Sequence, residues 1–328
     1  MLVLVAAVLT LVLQYWVGNT TIYRDELESK RAEMHAAILK NEPPRGEPWH
    51  QIGANGTNTR VLTVYLAELL RWSTALSLRK TYLIIETAGL FLVFIVLFFY
   101  CRRWVSEPYC VIGLLYFGCM AVLTYHYHVF HPWDRPWILS WMVLIMLIWD
   151  GRLLLLALLL PIAVSIKWDI AVLPGLYWLR YVSKANWSRV TLTTAALMAV
   201  SLGTFGLLIV ARPGGFDVER TVAQQLAINW VDFTGVKLAY PPFLLFTLPV
   251  VLAAFGVSGA DRRVTASALF GVLLLVPLVS KTNAVEVRAE MATFVLLLPA
   301  ALLGLTRALA PQLTRGNLGE LGSPGLRG

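Results

Sequence analysis

The chain has 328 residues, 58% hydrophobic and 14% charged, with a mean hydropathy of +0.69 and a formal net charge of +8. Water-soluble globular chains carry about 25% charged residues, so soluble, disordered and fibrous classes are excluded, and the apolar positions suffice for about ten crossings of about 20 residues each. The sequence predicts an all-α, polytopic membrane helix bundle of about ten spans, with residues 1–310 as one transmembrane domain and 311–328 as a short, disordered cytoplasmic tail.

The first apolar run, Met1 to Tyr23, lacks a basic residue ahead of it and a small-residue cleavage motif near Trp16 to Thr20, so it reads as a retained helix rather than a cleaved signal. The outer loop 19–62 follows. Within it Tyr23, Leu27, Met34 and Ile38 recur at helical spacing between charges, which predicts an amphipathic helix at the interface. Asp25 and Glu26 open that helix, where the dipole favours carboxylates. They are open to two readings: helix-end charge partnered by Arg24, Lys30 and Arg31, or a general base toward an acceptor hydroxyl, with a divalent cation as the one cofactor considered. The turn 52–59, rich in Gly, Asn and Thr, leads through Arg60 into an apolar helix; Arg60 is a phosphate ligand or an ordinary interfacial cation.

The run Thr81 to Cys101 is interrupted only by Glu86, which reaches the headgroups or faces a cavity. Pro108 to Trp133 is the next span, ending in the outer loop 126–136, where His126, His128, His131 and Asp134 lie close in sequence. These donors suit a transition metal, but no single regular conformation gathers all four and no metal ligand is assigned; an aromatic and His-rich interfacial belt, or substrate contacts through Asp134 or a histidine such as His131, are the other readings. Pro136 to Ile166 is too long for one crossing and is broken by Asp150-Gly151-Arg152, which predicts a hairpin of two short helices. Lys167 and Asp169 either anchor the turn that follows or meet substrate. Ile170 to Val182 is a short crossing or a re-entrant segment.

Four further runs complete the set: Val190 to Ala211, Leu238 to Ala260, Val264 to Ser280 and Met291 to Thr306. The outer loop 212–241 carries an amphipathic stretch, Val218 to Val231, with Trp230 as an anchor. In the outer loop 281–290, Glu286 and Glu290 share a helix face; Arg288 is a cation for a lipid-linked phosphate or part of a charged helix end. Cys101, Cys110 and Cys119 are expected to be free thiols.

With the N-terminus inside, the inner segments hold 11 basic against 4 acidic residues, so +7 of the net +8 falls on that side. The basic excess is therefore an orientation signal under the positive-inside rule and not a nucleic-acid surface. All five histidines and most carboxylates fall outside, which puts any chemistry at the outer face.

An acidic pair on an interfacial helix just past the first span, followed by many short-looped spans with polar clusters outside, resembles the GT-C superfamily of integral membrane glycosyltransferases. Arg60-Val61-Leu62, Pro132-Trp133-Asp134 and Glu286-Val287-Arg288 are similar to segments of bacterial envelope-polysaccharide members. The resemblance implies a polyprenyl-phosphate-linked sugar donor in the bilayer of a bacterial inner membrane, a saccharide or lipid acceptor, Asp25 or Glu26 as base, and Arg60 or Arg288 at the phosphate. Lys167-Trp168-Asp169 departs from the pattern. Two other expectations stand beside this one: a transporter or flippase of a lipid-linked saccharide, and a non-catalytic subunit of an envelope-polysaccharide complex.

Overall fold

The computed structural model describes residues 1–17, 24–42, 59–127, 133–212, 222–234, 241–281 and 287–309. Among them the chain forms thirteen α-helices and no strand. Helix α1 (Leu2–Leu11) continues through a π-helical turn to Val17, and α2 (Arg24–Lys40) covers the stretch expected to form the interfacial helix. Then come α3 (Val61–Thr74), α4 (Leu78–Arg102), α5 (Glu107–Tyr127), α6 (Asp134–Trp149) and α7 (Leu153–Ile166). A 3₁₀ turn (Trp168–Val172) leads into α8 (Pro174–Tyr181), followed by α9 (Trp187–Ala211), α10 (Val222–Thr234), α11 (Pro241–Gly256), α12 (Arg262–Lys281) and α13 (Val287–Leu309).

Among the described residues three helical stretches, Leu78–Arg102, Trp187–Ala211 and Glu290–Leu309, are long and apolar enough to cross a membrane. Helix α9 has the apolar surface that such a crossing calls for. It buries only one narrow stripe, Val190, Thr194, Leu197 and Ser201, while Leu192, Leu207 and Val210 are each at least 73% exposed. A patch of that kind facing water would be costly. Hydroxyls along the helices solve the same problem locally: Thr10, Ser140, Thr194, Thr204, Ser267 and Thr306 each donate to the carbonyl one turn back at 2.7–2.9 Å. In hydrocarbon no water is at hand to satisfy them.

The core lies where α4, α5, α6 and α13 meet. Phe94, Phe117 and Phe294 pack as neighbouring rings, and the Tyr100 hydroxyl donates to the Val295 carbonyl at 2.8 Å. Tyr100 stacks on Trp149, whose indole N–H donates to Ser267 Oγ at 3.0 Å. Helices α11 and α13 approach backbone to backbone. A Cβ placed on Gly256 would lie 1.7 Å from the Ala300 carbonyl oxygen, and one on Gly304 2.0 Å from the Leu252 carbonyl oxygen. Small residues on both helices permit this, the geometry by which membrane helices replace the missing hydrophobic drive with van der Waals contact.

The hairpin expected at Asp150-Gly151-Arg152 is present, and Gly151 takes φ +68°, a left-handed conformation that favours glycine. Helices α6 and α7, with 16 and 14 residues, rise only about 24 and 21 Å. The segment after them does not turn back. Asp169 bonds to Trp137 near the start of α6, and the Tyr181 hydroxyl donates to the Ile148 carbonyl near its end. Residues 169–181 therefore run beside α6 over about 17 Å of its length.

The turns sort into two sets. At one end, Arg103 grips Asp150 bidentately, Trp104 meets Trp149 edge-on, and Arg262 donates to the Leu179 and Val182 carbonyls. At the other, Asn41 donates to the Ala211 carbonyl, and Arg212 donates to the Ile38 carbonyl and the Tyr65 hydroxyl. The three cysteines are free thiols.

Candidate functional site

The site is built where α6 begins. Trp133, Trp137 and Trp141 recur every four residues and form one buried face of indoles, none more than 1% exposed. Asp134 and Arg135, between the first two, are buried as well, at 4% and 3% exposure. Two basic residues from elsewhere come to this indole wall. Arg60, immediately before α3, holds its guanidinium 4.9 Å from the Trp133 ring centre. Lys167, in extended backbone where α7 stops, sets its ammonium 3.4 Å above Trp137. Both are cation–π contacts, which gain strength when desolvated.

Asp169 completes the group. Its Oδ1 accepts the Trp137 indole N–H at 2.7 Å, and its Oδ2 lies 3.6 Å from Lys167 Nζ. Burial pushes its carboxyl above the ordinary value. Lys167, the Trp137 N–H and Arg60 pull the other way, and Asp134 adds to the rise. The turn carrying it is fixed from outside, because Trp168 stacks on Phe205 and Ser201 donates to the Ala171 carbonyl at 2.8 Å. Four residues predicted separately from the sequence, Arg60, Asp134, Lys167 and Asp169, thus share one charged, indole-walled site. Two cations beside apolar rings can hold an anionic oxygen group while the rings pack against its carbon skeleton.

Next to it lies a polar network that single-sequence reading missed. Helix α2 runs antiparallel to the start of α4, pairing Arg31 with Glu86 and His35 with Tyr82. The Arg31 guanidinium is 2.6 Å from Glu86, and Gln14 Nε2 donates to the other Glu86 oxygen at 3.4 Å. Glu86 is thus buried against α2, with Arg31 and Gln14 on its two oxygens. His35 Nε2 lies 3.1 Å from a Glu68 oxygen and Nδ1 is 2.8 Å from the Tyr82 hydroxyl. A carboxylate only accepts, so Nε2 carries the proton and Nδ1 accepts from Tyr82. The available signal was spacing: Arg31 and His35, like Tyr82 and Glu86, are four apart and share a helix face. Arg135 joins the two groups, since a Cβ on Gly89, one turn below Glu86, would touch its Cβ at 3.0 Å.

Asp25 and Glu26 fall in the first turn of α2 and Arg288 in that of α13, but their side chains lie outside what the structure describes. His126 is in the same position at the end of α5, while His128, His131 and Glu286 lie outside the described residues, as does the tail 311–328. Among the described residues no three His, Cys, Asp or Glu side chains converge as a metal site would require.

Two outcomes follow from the network. Arg31→Met leaves Glu86 at 4% exposure without its cation, so unfolding free energy is expected to fall by about 3–5 kcal/mol. Arg31→Met/Glu86→Leu is expected to recover most of that loss, and melting of the single variant at the wild-type temperature would show that the pair contributes nothing. Burial holds His35 below its ordinary value of 6.5, with Arg71 acting in the same sense and the Glu68 hydrogen bond and charge opposing. The folded protein thus binds the proton less readily than the unfolded chain. Stability is complete above 6.5 and is lost as pH falls through that value. Thermal melts across about pH 5 to 8 check this, because His35→Gln is expected to flatten the acid side.

No protein-family model, no curated protein and no solved structure matches the chain. What fold and composition define is a protein that is helical throughout its described residues, with three helices among them long and apolar enough to cross a membrane.

Proposed function

We propose that the chain is a membrane glycosyltransferase that moves a sugar from a polyprenyl-phosphate-type lipid donor to a saccharide or lipid acceptor. On this reading it sits in a bacterial inner membrane with about ten crossings and both termini cytoplasmic, and acts at the outer face. The reading rests on one observation: Arg60, Asp134, Lys167 and Asp169 meet against Trp133 and Trp137 at a single site. The sorting of turns into two sets is what alternating crossings would give, and on this reading 170–182, packed along α6, is the short tenth one.

The chemistry has few parts. A carboxylate of the first outer loop, Asp25 or Glu26, takes the proton of the acceptor hydroxyl as its oxygen bonds to the anomeric carbon. The bond from that carbon to the phosphate oxygen breaks, and the lipid phosphate leaves with the electron pair. Arg60 and Lys167 meet the charge that grows on it, in a site where indoles exclude water. Asp134 and Asp169 are available to hydroxyls of the sugar.

The test is transfer itself. The full chain in lipid nanodiscs is given radiolabelled polyprenyl-phosphate sugars and a lipid or saccharide acceptor, with and without EDTA. Labelled product from the wild type, lost in Asp25→Asn, supports the reading and separates base from helix-end charge. Absence of product with every donor, alongside movement of the labelled lipid between leaflets, would replace it with a flippase.

A further inference from the structure

We propose that the inner end of α8 and the start of α9 form a binding site for the headgroup of an anionic phospholipid. The assignment of this end to the inner leaflet rests on the orientation proposed above. The argument starts from charge. Among the described residues this end carries nine basic side chains and three carboxylates. Each carboxylate is already engaged by its own arginine. Asp150 takes Arg103 bidentately at 2.6 and 3.1 Å, Glu107 takes Arg102 at 3.0 Å, and Asp261 accepts three hydrogen bonds from Arg263 at 2.7–3.1 Å.

Six cations remain without a carboxylate of their own: Arg262 and Arg307 donate to backbone carbonyls, and Arg152, Arg180, Lys184 and Arg189 lie on or next to α8 and the start of α9. Tyr177 and Tyr181 pack 4.7 Å apart on α8. Arg180 lies 5.0 Å from the Tyr181 ring centre, and its Nε is closed off from solvent with no hydrogen-bond partner among the described residues. Arg152 follows Gly151, beside which the Tyr181 hydroxyl sits at 3.3 Å from a Cβ position, and Arg189 is within Coulombic reach of Tyr177. Lys184 and Arg189 are both exposed.

The turn bearing Lys184 is rigid. The Ser183 N–H donates to Asn186 Oδ1 at 2.8 Å, Asn186 Nδ2 donates to the Tyr181 carbonyl at 3.1 Å, and Arg262 donates to the Val182 carbonyl. Trp187, 48% exposed and edge-on to Trp178 at 5.8 Å, supplies the indole that favours the headgroup level of a bilayer. Cations carried on a hydrogen-bonded turn beside an exposed indole fit a phosphodiester whose acyl chains continue along the exposed apolar face of α9.

The experiment compares lipids on the purified full chain. Binding of dioleoylphosphatidylglycerol and dioleoylphosphatidylcholine is measured by native mass spectrometry and by protection against heat, with inorganic phosphate as a third arm. The expected result is a preference for phosphatidylglycerol that falls about thirtyfold in Lys184→Gln/Arg189→Gln, about fivefold for each cation near a membrane surface. Arg79→Gln/Lys80→Gln, exposed cations in the first turn of α4 at its other end, is expected to keep the preference. Both pairs lie on the surface, so the melting temperature in phosphatidylcholine reports that the variants fold. An unchanged preference in the inner pair, or equal loss in both pairs, would overturn the site. Protection by inorganic phosphate equal to that by lipid would overturn the lipid as its occupant. No sugar donor enters this measurement, so failure of the transfer assay and failure of lipid binding are read separately.

Discussion

Lys167→Met is expected to lower sugar transfer by about 10²–10³-fold while leaving the chain folded. The ammonium of Lys167 stands 3.4 Å over Trp137 and 3.6 Å from Asp169, in a place where only 11% of its side chain is exposed. A cation so dry acts through a low-dielectric path on any phosphate beside it, which is where removing one charge-stabilising donor has its largest effect on rate. Methionine keeps the apolar stem against the indole and removes only the charge. Because Asp169 is then left with the Trp137 N–H and Arg60, its carboxyl is expected to rise further, and the loss should deepen toward acid pH. The measurement is kcat and KM across pH, with the melting temperature taken on the same samples. A fall in kcat with a preserved melt assigns Lys167 to the reaction. A wild-type rate with a lowered melt would reduce Lys167 and Asp169 to anchors of the turn and leave the phosphate to Arg60 or Arg288.

Gly304→Leu is expected to prevent assembly of the bundle, at a cost above about 3 kcal/mol. The clash is with backbone, so no rotamer relieves it: even the Cβ would stand 2.0 Å from the Leu252 carbonyl carbon's oxygen and 3.1 Å from the Gly256 nitrogen. The helices α11 and α13 would have to separate by more than 1 Å along the contact, and every small-residue contact between them would weaken together. In water, hydrophobic burial would pull such helices back. In lipid that force is missing, since acyl chains are as apolar as the side chains. Gel filtration in detergent and thermal melting check the outcome, with Gly304→Ala as a milder step in the same direction. Gly203→Ala and Gly206→Ala on α9 are the contrast, because a Cβ there meets nothing within 4 Å. A monodisperse Gly304→Leu protein melting like the wild type would mean that the close approach is not what holds α11 to α13.

These outcomes divide along what a single sequence can and cannot disclose. Helices were legible because apolar runs without charge are a local property, readable residue by residue. The break at Asp150-Gly151-Arg152 was legible because a glycine between two charges ends an apolar run that is already too long. Arg60, Asp134, Lys167 and Asp169 could be singled out one at a time, as costly charges near membrane depth, but nothing in their spacing says that they meet. The partner of Glu86 was not legible for the same reason. The depth of Glu86 in an apolar run was plain, whereas the cation waiting for it came from a helix across the first outer loop.

The sequence by itself therefore determined an all-helical chain with apolar stretches fit for lipid, an excess of positive charge on one set of turns, and polar residues collected on the other. Only the tertiary structure decided which faces meet: α2 on α4 through Arg31 and His35, α6 on α4 at Gly89, and the Lys167 turn on Trp137. Hydropathy is the same on every side of an apolar helix, so it fixes where a helix runs and leaves its rotation free. Rotation is settled by glycines that let backbones touch and by buried charges that must find a partner, and both are relations between residues far apart in the chain.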